Sequence, residues 1–250
     1  KSVDLSGVER RSDAAPLLEA AVDNPALVSL AGLESLEDIQ NALAIRNNPA
    51  LVDLSGLSGL VQTRRFSLRG NDALRDLGGL DSLEKVTHAF SISASPGLES
   101  LAGAPTLYKV GNSKTPRFGG LTLEELPALT TLDGLPVLNY LSNLRAIDTG
   151  LESISALQDL STLYDLELQT NPALTDLSGL SGLGQILGDL SLVDNDALSE
   201  LSPLHGIYRI DGDLIITDNA SLSEAEIEVL IDAIGGRNIL GDITTRDNGG

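Results

Sequence analysis

LTDLSGLSGLGQILGDLSLVDN, residues 174–195, contains the pattern that decides the fold. Its apolar residues recur at every third position from Leu174 to Ile186 and then alternate at Leu190 and Leu192. Alternation is typical of a β-strand, whereas a sustained spacing of three fits neither a helix nor a flat strand. That spacing suits a chain which turns a corner at each step. The stretch therefore predicts one coil of a solenoid, which buries its leucines only by stacking on another coil.

The same unit recurs along most of the chain. The leucine that follows Asn-Pro-Ala, Asn-Asp-Ala or their equivalents stands at Leu27, Leu51, Leu74, Leu98, Leu129, Leu151, Leu174, Leu198 and Leu222. Successive gaps are 24, 23, 24, 31, 22, 23, 24 and 24 residues, so only one unit is out of line. Such periodicity is the signature of a repeat architecture. We expect a mainly β, right-handed solenoid of about nine to ten coils with short helical caps.

The strand motif L-x-L-x-x-N gives the solenoid a family resemblance. It occurs, for example, as LAIRNN from Leu43, LELQTN from Leu166 and LIITDN from Leu214. This motif resembles leucine-rich repeats, and the longer unit resembles the L domains of growth-factor receptors and related microbial surface proteins. The resemblance covers roughly residues 24–248, without the cysteine-rich modules that accompany those receptors. It implies a secreted or cell-surface protein, bacterial in origin, with any leader outside this chain, that binds a protein or glycan through its sheet face.

The sequence divides into a solenoid and two ends. Residues 1–23 are irregular and predict an N-terminal cap with a short helix around Ala14–Ala21. Residues 24–222 form the solenoid. Residues 223–250 predict a C-terminal cap, in which a capping box opens a helix that ends near Ile234 and a last strand follows. The long unit carries an insertion at 111–117, which is either a surface loop on the binding side or a tolerated insertion without function.

Asparagine recurs at the end of the short strands. We expect these side chains to bond backbone groups of neighbouring coils, satisfying turns that the solenoid would otherwise bury. The positions are Asn48, Asn71, Asn171, Asn195 and Asn219. Ser95, Leu126 and Thr149 replace asparagine in the middle of the array, so an interruption is expected there.

Composition excludes several classes of protein. The chain has no cysteine, which excludes disulfides and thiolate sites, and no apolar run approaches the length of a membrane span. A net charge of −20 disfavours nucleic acid as a partner. That acidity indicates either solubility or a structural calcium at Asp194–Asp196 and Asp211–Asp213.

The residues give no sign of catalysis. The only histidines, His88 and His205, occupy different positions of distant units, and no phosphate-binding, metalloprotease or dinucleotide motif occurs. We therefore expect no catalytic, metal or cofactor site and a chain that is not an enzyme.

Charge is segregated along the solenoid. Residues 46–117 carry nine Lys/Arg and six Asp/Glu, whereas residues 146–208 carry ten Asp/Glu and no Lys/Arg. Arginine and tyrosine are enriched at interaction hot spots, although tyrosine is also ordinary amphipathic filler. The candidate partner-binding residues are Arg46, Arg64, Arg65, Arg69, His88, Tyr108, Tyr140, Arg145, Tyr164, Asp165 and Glu167.

These observations favour a recognition or adhesion module that holds a protein or glycan on the sheet face. The runner-up is a structural surface spacer or scaffold without a specific ligand, and an enzyme comes third. The sequence does not determine the oligomeric state, and a monomer is the favoured expectation.

Overall fold

The computed structural model describes residues 18–249, and their side chains from residue 21 onward. Fifteen strands are present in this part of the chain. They are β1 (Leu18–Val22), β2 (Asp38–Arg46), β3 (Gln62–Arg69), β4 (Lys85–Ser93), β5 (Lys109–Val110), β6 (Gly120–Leu126), β7 (Tyr140–Leu141), β8 (Leu144–Thr149), β9 (Thr162–Leu163), β10 (Leu166–Gln169), β11 (Gln185–Ile186), β12 (Leu190–Val193), β13 (Arg209–Ile210), β14 (Leu214–Thr217) and β15 (Ile243–Arg246).

The strands wind as a parallel β-solenoid of about eight turns. The main sheet runs in the order β1-β2-β3-β4-β6-β8-β10-β12-β14-β15, and neighbouring strands along it pair in parallel. A second row of short strands, β9, β11 and β13, lies at the corner before the main sheet. The predicted mainly β solenoid is thereby confirmed.

Each coil buries the apolar residues that the repeat predicts. Leu174, Leu177, Leu180 and Leu183 on the arm are at most 1% exposed, and the alternating strand residues are equally buried. Short 3-10 turns shape several arms, at Ser55–Leu57, Ser155–Leu157, Ser178–Leu180 and Ser202–Leu204, with another at Gly236–Asn238. One continuous apolar core therefore runs the length of the solenoid.

A ladder of asparagine side chains runs through this core. The amide of Asn195 donates to the carbonyls of Leu168 (2.9 Å) and Val193 (3.1 Å), and its Oδ1 accepts from the N–H of Asn171 (3.2 Å). All five predicted asparagines are fully buried. At the predicted interruption, Ser95 and Thr149 still bond to Asn71 and Asn171 through their hydroxyl groups, and only Leu126 has no hydrogen-bonding side chain.

The residue before each ladder position adopts the left-handed conformation. Asp194 and Asp218 have φ of 56° and 60°, a region in which Asn, Asp and Gly are the least strained residues. Ala94 and Glu125 occupy the same conformation at φ of 46° and 55°. These two exceptions lie beside the interrupted part of the ladder, and a third, Thr170 with a φ of 53°, precedes Asn171.

The C-terminal helix forms where the sequence predicts it. Helix α1 spans Glu224–Ile234, the Ser223 hydroxyl accepts the N–H of Glu226, and Gly235 ends it with a φ of 78°. The Glu226 carboxylate does not close a capping box; it accepts the N–H of Leu201 at 2.8 Å instead. The helix is therefore bonded to the preceding coil as well as packed on it.

The N-terminal expectation is wrong where the structure describes it. The helix predicted around Ala14–Ala21 is replaced over Leu18–Val22 by β1, which pairs in parallel with β2 and so begins the main sheet. The rest of the predicted cap, residues 1–17, lies outside the described residues.

Candidate functional site

The arginines of the sheet face lie on two neighbouring strands. Arg46 of β2 pairs in register with Arg69 of β3, so the two residues lie about 5 Å apart across the sheet. Arg65 belongs to β3 as well, four residues before Arg69 and about 13 Å away along the strand. Arg65 and Arg69 therefore share one strand, and only Arg46 lies on the neighbouring strand. The arginines form an L-shaped patch rather than a single row.

Arg64 lies at the corner between the two strand rows. The pairing of β3 with β4 shifts register between Thr63 and Arg65, and this irregularity places Arg64 beside His88. The Arg64 Nη2 and His88 Nε2 atoms are 3.3 Å apart, and the Asn112 amide lies 3.4 Å from the same His88 nitrogen. The corner thus joins the basic patch to the insertion.

His88 is held in its neutral form. Burial is the main cause that lowers the pKa of His88, and the charges of Arg64 and Arg65 lower it further. A neutral imidazole accepts a hydrogen bond at Nε2, which is the atom that Arg64 and Asn112 approach. His88 therefore adds a hydrogen-bond acceptor, and no positive charge, to the arginines around it.

Four arginines in this part of the sheet lack carboxylate partners. Among the side chains described from residue 21 onward, no salt bridge involves Arg46, Arg64, Arg65 or Arg69. Arg46 donates only to the Ser67 hydroxyl, at 3.4 Å. These positive charges are therefore uncompensated within the described residues. We call Arg46, Arg64, Arg65 and Arg69 the arginine patch.

Arg145 is different, because its charge is balanced. Its Nε lies 3.4 Å from Glu124 Oε1 and 3.3 Å from Glu167 Oε2, on the strands to either side. The two predicted binding residues Arg145 and Glu167 therefore engage each other. This charge cluster separates the arginine patch from the acidic half of the solenoid.

The tyrosines lie beside the arginine patch and not within it. Tyr108 immediately precedes the short strand β5, and Tyr140 is the first residue of the short strand β7. The Lys109 ammonium is 5.2 Å from the centre of the Tyr140 ring. Burial raises the pKa of Tyr140. The Tyr164 ring packs against Gly188, where a Cβ would come within 2.9 Å of it. Tyr164 therefore also has a packing role.

Asp165 belongs to a second ladder, which sequence reasoning missed. Oδ1 of Asp165 accepts the N–H of Asp189 (2.9 Å), and in the same way Asp189 accepts from Asp213 and Asp213 from Asp242 (both 2.8 Å). Asn143 starts the ladder by accepting from Asp165 at 2.9 Å. The signal was present as the repeated Gly-Asp pair at 188–189, 212–213 and 241–242. Each carboxylate therefore satisfies a backbone donor of the next coil.

The aspartate ladder makes Asp165 a site of pH dependence. Burial, aided by repulsion from Asp189, raises the pKa of Asp165 despite its hydrogen bond to the Asp189 N–H and the nearby charge of Arg117. A carboxyl group with a raised folded-state pKa stabilises the fold below its unfolded pKa, and that contribution is lost as pH rises through the folded value.

We accordingly expect Asp165→Asn to raise the denaturation midpoint at neutral pH. The asparagine oxygen still accepts the Asp189 N–H, but no buried charge remains. The advantage should shrink as pH falls toward the ordinary aspartate value of 3.8, and urea denaturation at several pH values measures it. Asp72→Asn, at an exposed aspartate, sets the baseline. An advantage that is constant with pH would contradict the assignment.

The two clusters considered for calcium have structural roles. Asn195 is part of the asparagine ladder, and the N–H of Asp194 donates to the carbonyl of Thr217 at 3.1 Å. Asp211 pairs with Arg209, and Asp213 belongs to the aspartate ladder. Among residues 18–249, no group of three or more His, Cys, Asp or Glu side chains is arranged to hold a metal ion.

The geometry therefore defines a parallel β-solenoid with a basic patch near one end of its main sheet. The chain matches no protein-family model, and no curated protein or solved structure is significantly similar to it. Within the described part of the chain, no helix is long and apolar enough to cross a membrane.

Proposed function

We propose that this solenoid is of the leucine-rich-repeat class, closest to receptor L-domain-like repeats, and acts as a secreted or cell-surface recognition module. Its partner is a protein or glycan held on the main sheet face. The class is supported by the repeated L-x-L-x-x-N strands, the buried asparagine ladder and the regular spacing of the coils.

The arginine patch carries this proposal. Four guanidinium groups without carboxylate partners repel one another, in a chain that has 36 acidic residues available to pair with them. A surface selected only for solubility gains nothing from that arrangement. A carboxylate-bearing partner would relieve the repulsion and accept forked hydrogen bonds from arginine that lysine cannot supply.

The fold makes such binding efficient. Arg65 and Arg69 belong to β3, whose residues 65–69 pair in register with β2 on one side and β4 on the other. Phe66 and Leu68, which lie between the two arginines, are buried in the core. The backbone beneath the patch is therefore ordered before a partner arrives, so little backbone entropy is lost on binding.

Removal of two patch arginines tests the proposal. We expect Arg65→Ala and Arg69→Ala to weaken binding by about 1–2 kcal/mol each, or roughly five- to thirtyfold, as for hot-spot residues. Stability should change by only about 0.5 kcal/mol, since both side chains are exposed. The partner is isolated by affinity capture from the extracellular surroundings of the source organism, and affinities are then measured by calorimetry.

Arg237→Ala is the matched control, because Arg237 is an exposed arginine far along the chain from the patch. It should leave the affinity unchanged. If both patch variants bind the captured partner as tightly as the parent, the proposed face is wrong. If no partner is captured at all, the spacer function is favoured.

The spacer function has one observation in its support. In the row of outward positions that contains Arg145, the residues after Glu167 are uncharged: Ser191, Ile215 and Thr244. Such a surface offers few anchors for a partner. If the solenoid is a recognition module, this row therefore confines its binding surface to the arginine patch and the coils around it.

A further inference from the structure

The insertion forms one wall of a cleft on the side of the solenoid. The cleft has a volume of about 210 Å³ and lies between the 111–117 loop and the corner strands β7 and β9. Ser113 and Pro116 line it from the loop, and Tyr140, Thr162 and Tyr164 line it from the solenoid. No regular coil has such a wall, because only the long unit carries the insertion.

The loop is fixed at several points. The Asn143 amide donates to the carbonyls of Pro116 (3.1 Å) and Gly119 (2.5 Å), and the Asn112 amide lies 3.4 Å from His88 Nε2. The Asn112 side chain also accepts the N–H of Lys114 at 2.9 Å. The cleft is therefore preformed, as small-molecule sites usually are.

A polar group without a partner lies at the floor of the cleft. Ser142 is 1% exposed, and its hydroxyl forms no hydrogen bond with any described residue. Buried hydroxyl groups are normally bonded, because an unmade bond costs about 1–3 kcal/mol. The Ser142 hydroxyl lies beside Gly111, the first residue of the insertion, where a Cβ would come within 2.0 Å of it.

The lining has the chemistry of a saccharide site. Two tyrosines, Tyr140 and Tyr164, line the cleft, each with an apolar ring and a polar hydroxyl end, and the Lys109 ammonium lies 5.2 Å from the centre of the Tyr140 ring. Asn139, Ser161 and Thr162 supply amide and hydroxyl groups that both donate and accept, and the Asp159 carboxylate accepts. No lysine or arginine lines the cleft. Hydroxyl-rich neutral ligands fit this set, whereas phosphate, sulfate and carboxylate groups would meet the Asp159 carboxylate and no cation among the lining residues.

We propose that this cleft binds one ring of a neutral saccharide. The inference rests on the proposed recognition function and gives it a specific subsite, since it assigns the glycan to the cleft and leaves the arginine patch to acidic groups. Tyr140 and Tyr164 contact the C–H faces of the sugar. Asp159, Ser161 and Thr162 bond its hydroxyl groups.

Tyrosine signals make the test direct. The chain has four tyrosines and no tryptophan, so selective ring labelling yields two probes in the cleft and two, Tyr108 and Tyr208, outside its lining. The full chain is titrated with a panel of neutral mono- and oligosaccharides, with glucuronate and inositol hexakisphosphate as anionic comparators. We expect a neutral saccharide to shift the NMR ring signals of Tyr140 and Tyr164 and to leave those of Tyr108 and Tyr208 unchanged.

Two matched variants complete the test. Thr162→Trp fills the cleft and should abolish the shifts, while Gln185→Trp, at the paired position of the next coil, should preserve them. Asp159→Ala should weaken the binding at least about tenfold. Unchanged Tyr108 signals in each variant, and unchanged Tyr208 signals in Thr162→Trp and Asp159→Ala, show that the fold is intact; Tyr208 is not used for Gln185→Trp, because its ring lies against Gly184.

Three outcomes overturn the cleft proposal. The first is that no neutral saccharide shifts the Tyr140 and Tyr164 signals, the second that only the anionic comparators do, and the third that the shifts survive Thr162→Trp. None of these depends on Arg65 or Arg69, so the cleft proposal can fail while the arginine patch still binds its partner. Conversely, saccharide binding that persists in Arg65→Ala supports the cleft even if the proposed sheet-face function fails.

Discussion

Replacing Asn195 with leucine should destabilise the protein by about 3–6 kcal/mol, because several buried backbone groups lose their partners at once, each at a cost of about 1–3 kcal/mol. The leucine has the same branched shape but bulkier methyl groups, so the change removes the hydrogen bonds and also overpacks the site. The groups concerned are the carbonyls of Leu168 and Val193 and the N–H of Asn171. The midpoint of urea denaturation measures the loss, which is a large share of the stability of an ordinary domain.

Asn248→Leu is the matched control. Asn248 ends the asparagine ladder: it accepts from Asn219 at 3.2 Å and donates to Ile216 at 2.9 Å, but it is only partly buried. Water can replace its bonds, and a terminal coil of a repeat protein unfolds with little effect on the interior coils. Equal midpoints for Asn195→Leu and Asn248→Leu would mean that the interior of the ladder contributes no more than its end.

The sequence predicts the asparagine ladder because the ladder is itself periodic. One coil repeats every 22 to 24 residues in most of the chain, so residues at the same place in two units meet in the structure. Phe66 and Phe90 follow the same rule. They occupy the same strand position in adjacent units, and their rings stack with centroids 5.1 Å apart in the core. Core positions and strand register were therefore within reach of pattern analysis.

The candidate site was harder to predict, because it depends on departures from the repeat. The alternation of residues around Phe66 correctly places Arg65 and Arg69 on the outer face. It does not reveal the register shift that brings Arg64 beside His88, since an irregular corner has no periodic signature. The Glu124–Arg145–Glu167 cluster was missed for a related reason, because the longest gap in the repeat lies between β4 and β6 and obscured which residues pair.

The aspartate ladder shows a different limit. The Gly-Asp pair was visible in three units, yet its aspartates look like metal ligands or solubilising charges in the sequence. Their role depends on a contact between residues 24 to 29 positions apart, in which a carboxylate accepts a backbone N–H of the next coil. The same contact explains the glycine of the pair, because a Cβ there would collide with the carboxylate of the preceding coil.

Gly212→Ala should cost about 2–5 kcal/mol, because the added methyl group has no space and a hydrogen bond is lost as well. A Cβ at Gly212 would come within 2.1 Å of Asp189 Oδ1 and 2.6 Å of the C and O atoms of Gly188. The flexible carboxylate would move away and so release the N–H of Asp213, which it now accepts at 2.8 Å. The backbone of the preceding coil has no such freedom, so the stacking distance between coils would have to increase.

The cause is steric and not conformational, since Gly212 is not among the residues with positive φ. Gly206→Ala, in the same unit, is therefore the control: a Cβ there would meet only two carbonyl oxygens, at 3.4 and 3.5 Å. For a chain of this size the expected loss corresponds to a fall of roughly 5–20 °C in the melting temperature, which calorimetry resolves easily. If Gly212→Ala and Gly206→Ala had the same melting temperature, close packing of each Gly-Asp pair on the preceding carboxylate would not explain the glycine.

The double variant Asp189→Ala with Gly212→Ala separates the two contacts of the added methyl group, because it removes the carboxylate and keeps the clash with Gly188. A double variant that recovers no stability beyond the single variant assigns the loss to the backbone contact, and so to the spacing of the coils themselves.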